Sequence, residues 1–81
     1  MKIPRDLSAD ELIKKLEILG YFSTRQVGSH IRLTTLQNGE HHITIPNHDP
    51  LKIGTLSAIL QDVSKHFGSS KADITLQLFG K

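Results

Sequence analysis

The 81-residue chain contains no cysteine, which excludes a disulfide framework and any thiolate metal site. Aromatic residues are scarce: Tyr21, Phe22, Phe67 and Phe79 are all there are. Proteins that read single-stranded RNA by stacking usually need more of them on exposed strands, so any nucleic acid is expected to be met through backbone and shape. No apolar run approaches the length of a membrane span. The opening Met1-Lys2-Ile3-Pro4-Arg5-Asp6 lacks the apolar core of a signal peptide. The expectation is a cytoplasmic protein with no membrane contact. Charge of one sign is also in short supply, since ten Lys and Arg face eight Asp and Glu for a formal +2. No repeat or low-complexity stretch breaks the chain, and its length suits one domain, residues 1–81, but not two.

What is present is strong local patterning. Ser8-Ala9-Asp10-Glu11 has the form of a capping box, and Leu7 and Leu12 have the spacing of a hydrophobic staple. Leu12, Ile13, Leu16 and Leu19 follow helical periodicity up to Gly20, which suits a left-handed C-terminal position. From Tyr21 the period changes to that of strands. Residues 21–26 form the first, and Ile31 and Leu33 alternate with His30, Arg32 and Thr34 in the second, residues 30–36. In the third, residues 41–46, Ile43 and Ile45 alternate with His42 and Thr44. Asn38-Gly39 is a preferred central pair for a two-residue hairpin turn. A second helix is expected to begin between Lys52 and Thr55, with Leu56, Ile59, Leu60, Val63 and Phe67 on one stripe and Gly68 as its stop. The last segment reads both ways: Ile74, Leu76 and Leu78 alternate, but Ser70-Lys71-Ala72-Asp73 resembles a capping box, which favours a short third helix. The fold class is α+β, with an α-β-β-β-α order, a three-stranded antiparallel sheet covered by helices on one face, and a polar face left free.

Five histidines are many for this length, and imidazole is the side chain that exchanges protons near neutral pH. In Arg25-Gln26-Val27-Gly28-Ser29-His30, Gly28 permits a tight turn, Ser29 offers a hydroxyl, and His30 opens a strand on the polar face. By spacing alone, the plain reading of His30 as a polar strand residue stands ahead of a catalytic one. His48, in the loop leaving the third strand, is either a second proton carrier near His30 or a solvated turn residue. Lys52 stands before a helix start where backbone N–H groups can hold a phosphate, although Gly54 and Thr55 are as well explained by helix entry. His41 and His42 point to opposite faces and cannot share a metal ion. With no zinc-ligand spacing among the histidines, neither metal nor cofactor is expected.

These strings together resemble one family. Gly20-Tyr21, then Arg25 to His30, then Ile45-Pro46-Asn47-His48, then Ile53-Gly54-Thr55-Leu56 with Ile59-Leu60, are similar in order and spacing to the HicA, or YcfA-like, toxins. The resemblance covers a compact core of about residues 7–67 and leaves 69–81 as a C-terminal extension. It implies a fold like the double-stranded-RNA-binding domain. It also implies an endoribonuclease toxin (an mRNA interferase) that is neutralised by a HicB-like antitoxin, and a functional histidine in a Gly-Ser-His motif, here Gly28-Ser29-His30. On that basis His30 is the expected catalytic residue, Ser29 and His48 its supports, and Arg25, Arg32 and Lys52 the RNA contacts. Ser57 and Gln61 stand where family members often carry Arg or Lys. The alternatives are a non-catalytic RNA-binding module or a protein-interaction domain of the same fold.

Overall fold

The computed structural model describes residues 3–80, so residues 1, 2 and 81 of the expected 1–81 unit lie outside the described residues. The first helix, α1 (Ala9–Leu16), starts at the expected capping box. Glu11 N donates to Ser8 Oγ at 3.1 Å and Ser8 N to Glu11 Oε1 at 3.2 Å, satisfying two amides that a helix start otherwise leaves without partners. Such a cap stabilises by about 1 kcal/mol. Leu7 and Leu12 are both buried, as a staple requires. The helix tightens into a single 3₁₀ turn, Glu17–Leu19, and is stopped by Gly20 at φ 81°.

Three strands follow, β1 (Phe22–Val27), β2 (His30–Thr35) and β3 (His41–Pro46), in the antiparallel order β1-β2-β3. Gly28 and Ser29 are the only residues between the paired Val27 and His30. Gly28 has φ 59°, the positive value that a two-residue hairpin of type II′ needs at its first central position. The β2–β3 connection departs from expectation. Thr35 and His41 are the last pair, so Asn38 and Gly39 sit within a five-residue loop rather than forming a two-residue turn. Both still take positive φ, 58° and 95°. The loop is long because it is tied to another element: Asn38 Nδ2 donates to the carbonyl of His66 at 2.8 Å, and His66 Nε2 donates to that of Gln37 at 2.9 Å.

The second helix, α2 (Ile53–Phe67), ends at Gly68 with φ 64°. The last segment is the helix α3 (Lys71–Phe79), capped by Ser70 Oγ accepting from Asp73 N at 3.0 Å. Periodicity of 2 in Ile74, Leu76 and Leu78 therefore loses to the cap. Ile74 and Leu78 are buried while Leu76 is exposed, the pattern of a helix with one face docked. Helices cover one side of the sheet, burying Ile31, Leu33, Ile43 and Ile45 against Leu12, Leu16, Leu56 and Leu60. Each such side chain contributes about 1.5–3 kcal/mol. The arrangement is the α+β fold of the double-stranded-RNA-binding-domain type, with α3 as an added short helix. No described helix is long and apolar enough to cross a membrane.

Candidate functional site

The sheet face away from the helices carries the chemistry. His30, Arg32 and Thr34 project from β2, and their β3 partners Pro46, Thr44 and His42 lie beside them. On β1 the face is set by an irregularity. Phe22 pairs with Thr34 and Ser23 with Leu33, but the next pair is Arg25 with Arg32, so Thr24 is an extra residue. Such a bulge shifts the alternation by one. In a regular strand Phe22 and Arg25, three apart, would point to opposite faces. With Thr24 inserted, Phe22, Arg25 and Val27 all share the face of His30. Thr24 Oγ1 holds the bulge in place, reaching the Arg32 carbonyl and Thr34 Oγ1, each at 3.3 Å.

The result is an open depression of about 190 Å³ lined by Arg25, Val27, His30, Arg32 and Thr44. Three of the residues singled out from the sequence, Arg25, His30 and Arg32, meet there. Val27 and Thr44 complete it: alternation alone puts Thr44 on the polar face, and the strand register brings it beside Arg32. Arg25 and Arg32 are direct cross-strand partners, and like charges directly opposite each other destabilise a sheet. Neither makes an ion pair among the described residues, where the salt bridges are His41–Asp62 and His42–Glu40. The protein thus holds two uncompensated guanidinium groups beside an exposed imidazole.

The other expected site residues fall nearby or apart. Ser29 is in the turn, and its carbonyl accepts from Asn47 N at 2.6 Å, which draws the loop carrying His48 toward the start of β2. The His48 side chain is exposed and does not line the depression; its carbonyl accepts from the first amide of α1, Ala9 N, at 3.1 Å. Lys52 is the exposed residue preceding α2 and also lies outside the depression. The Ser57 hydroxyl accepts from Lys71 Nζ of α3. No group of three His, Asp or Glu side chains among the described residues is arranged to hold a metal ion.

Two further polar clusters flank this face. On the outer side, His42 is held at both ring nitrogens, with Nδ1 2.7 Å from Thr34 Oγ1 and Nε2 2.7 Å from Glu40 Oε2. On the inner side, the buried Tyr21 hydroxyl shares a hydrogen bond with His41 Nδ1 at 2.7 Å, and His41 Nε2 faces Asp62 at 3.4 Å. The His66 ring stacks on His41 at 4.4 Å between centroids, 11° from parallel. Burial pushes the Tyr21 phenol well above its ordinary range, and the Asp62 carboxylate pushes it the same way, so the hydroxyl stays protonated.

Fold and site together define an α+β protein of the RNA-binding-domain type, with an exposed, cationic, histidine-bearing sheet face. A family model described as HicA toxin of bacterial toxin–antitoxin matches residues 9–64, a span that holds every residue lining the depression. The chain belongs to the HicA toxin family. It is a toxin of the kind that pairs with an antitoxin. No curated protein and no solved structure matches it.

Proposed function

We propose that the chain is an endoribonuclease that cuts mRNA in the cytoplasm, working without a metal and with His30 as the catalytic residue. The observation that carries this reading is the juxtaposition of His30 with the unpaired cross-strand arginines Arg25 and Arg32 in one open depression. A polyanion relieves the repulsion between the guanidinium groups, and an imidazole beside it can exchange a proton with a ribose or leaving oxygen.

RNA supplies its own nucleophile. The 2′-oxygen attacks the adjacent phosphorus, its proton passes to a base, and the P–O bond to the next nucleotide's 5′-oxygen breaks as that oxygen gains a proton. The products are a 2′,3′-cyclic phosphate and a 5′-hydroxyl. His30 takes one of the two proton roles, and His48 or water takes the other. Arg25 and Arg32 stabilise the charge that builds on the phosphoryl oxygens. Ser29 and Gly28 act through the turn that presents His30, and Lys52 is an outlying contact for the RNA backbone. The whole chain, 1–81, works as one unit in which residues 7–67 are the core. A HicB-like antitoxin restrains it by covering the His30 face, so the purified complex should not cut.

The test is cleavage of a long single-stranded RNA in excess EDTA by the wild type and by His30→Ala. Cleavage that disappears in the folded variant supports the reading. RNA left intact by both proteins would move the chain to a non-catalytic RNA-binding or protein-docking role. Equal cutting by both would remove His30 from the chemistry and bring His48 forward.

A further inference from the structure

Among the exposed large apolar side chains of the described residues, Phe22 is the one ring, 49% exposed. It lies on the sheet face that carries His30, because the Thr24 bulge returns β1 to that face. An exposed ring at the start of an edge strand, on a polar, cationic face, is poorly explained by folding. Its cross-strand neighbour Thr34 is buried, and that hydroxyl is engaged by Thr24 and His42. Beyond Thr34, His42 is held at both nitrogens and has no free donor or acceptor to read a base edge. Phe22 therefore offers a flat apolar face with no competing hydrogen-bond chemistry.

Three rows cross the sheet in register: Val27, His30 and Pro46; then Arg25, Arg32 and Thr44; then Phe22, Thr34 and His42. Proton-transfer chemistry, phosphate charge and a stacking surface follow one another along β2. His30 and Thr34 are four residues apart, about 13 Å at strand rise. We propose that Phe22 is the stacking platform for one unpaired RNA base, so that a single strand lies along β2 with phosphates over Arg25 and Arg32. This rests on the reading of that face as the RNA-cleaving site and adds a residue that holds one base of the strand beside the cut. A base within a duplex is already stacked and paired and cannot lie flat on a sheet-face ring.

The experiment uses the absence of tryptophan from the chain. In the full-length His30→Ala background, Phe22→Trp introduces the one indole, whose fluorescence is followed during titration with a single-stranded 12-nucleotide RNA, with the same RNA in duplex form, and with an abasic single strand. The expected result is saturable quenching by the single strand and little by the duplex or the abasic strand. With His30 intact, Phe22→Ala should lower kcat/KM on the single strand by about 5- to 150-fold, the usual range for loss of one stacked base, and Phe22→Tyr should restore most of it. RNA that is bound or cut without quenching the indole, or quenching equal for the abasic strand, overturns the platform while leaving the nuclease reading intact. Quenching without any cleavage by the wild type supports the platform and removes the nuclease. No binding of RNA at all overturns both.

Discussion

Two histidines of the sheet, His41 on its inner face and His30 on its outer face, differ in how far the protein satisfies them. On the inner side, His41 sits between Tyr21 and Asp62 and is stacked on His66, whose Nε2 is bonded to the Gln37 carbonyl. Among the described residues no buried side-chain nitrogen or oxygen lacks a partner. On the outer side, His30 is exposed and borders two arginines with no acidic partner. A closed network has its interactions already made, so it holds the fold together and has little left for a ligand. Repelling cations around a free imidazole have interactions still to make, so the outer face is disposed to take up an anion at some expense in stability. Parity alone would group His30 with His42, whose two ring nitrogens are both engaged; the partners of each ring tell them apart.

The sharpest way to break this comparison is to remove one residue from each side. His30→Ala should lower RNA cleavage by about 10²- to 10⁴-fold, the usual contribution of a positioned general acid or base, with no change in the urea midpoint. Tyr21→Ala should instead lower the unfolding free energy by about 3–5 kcal/mol, as large aromatic truncations do, measured by urea denaturation. A Tyr21→Ala protein that stayed as stable as the wild type would show that the inner cluster does not support the fold.

A smaller effect should appear at high pH. The folded Tyr21 phenol is held above its ordinary range by burial and by Asp62, while the unfolded chain ionises near pH 10. The stabilisation is therefore fully present below about pH 10 and falls away as the unfolded state begins to lose its proton. Urea midpoints taken from pH 8 to 11 should decline above pH 10 in the wild type and decline less in Tyr21→Phe. The same slope in both would place the alkaline sensitivity elsewhere.

The smallest expected effects belong to the arginine pair. Arg25→Gln and Arg32→Gln should each reduce the slope of log affinity against log salt by about 0.7 for single-stranded RNA. Relieving the like-charge contact should also leave the free protein more stable by about 0.2–1 kcal/mol. An unchanged salt slope in both variants would mean that the phosphate backbone lies off this face.

Much of this was legible locally. Ser8 and Glu11 announce the α1 cap within four residues, and the alternation of Ile31, Leu33, Ile43 and Ile45 assigns the inner faces of β2 and β3. His30, Arg32, Thr34, His42 and Thr44 follow onto the outer face by parity, and Gly28 appears where its turn needs positive φ. Other features lay beyond that reading. Asn38-Gly39 suited a tight turn by its own preferences, but anchorage to His66 draws the chain into a longer loop. On β1 the exposed residues show no hydrophobic alternation, so nothing in the local pattern marks Thr24 as the inserted residue.

The sequence by itself determined the first helix with its cap, the three strands, the second helix and the faces of β2 and β3, because those depend on interactions within a few residues and on a periodicity that burial enforces. Only the tertiary structure decided that Phe22 and Arg25 share a face with His30, since a bulge exists only through the pairing of β1 with β2. It also decided that Tyr21, His41, Asp62 and His66 close on one another. They come from segments 20 or more residues apart, brought together by the packing of α2 against β3. Contacts of that kind have no local signature, because the energy that forms them is shared across the whole core.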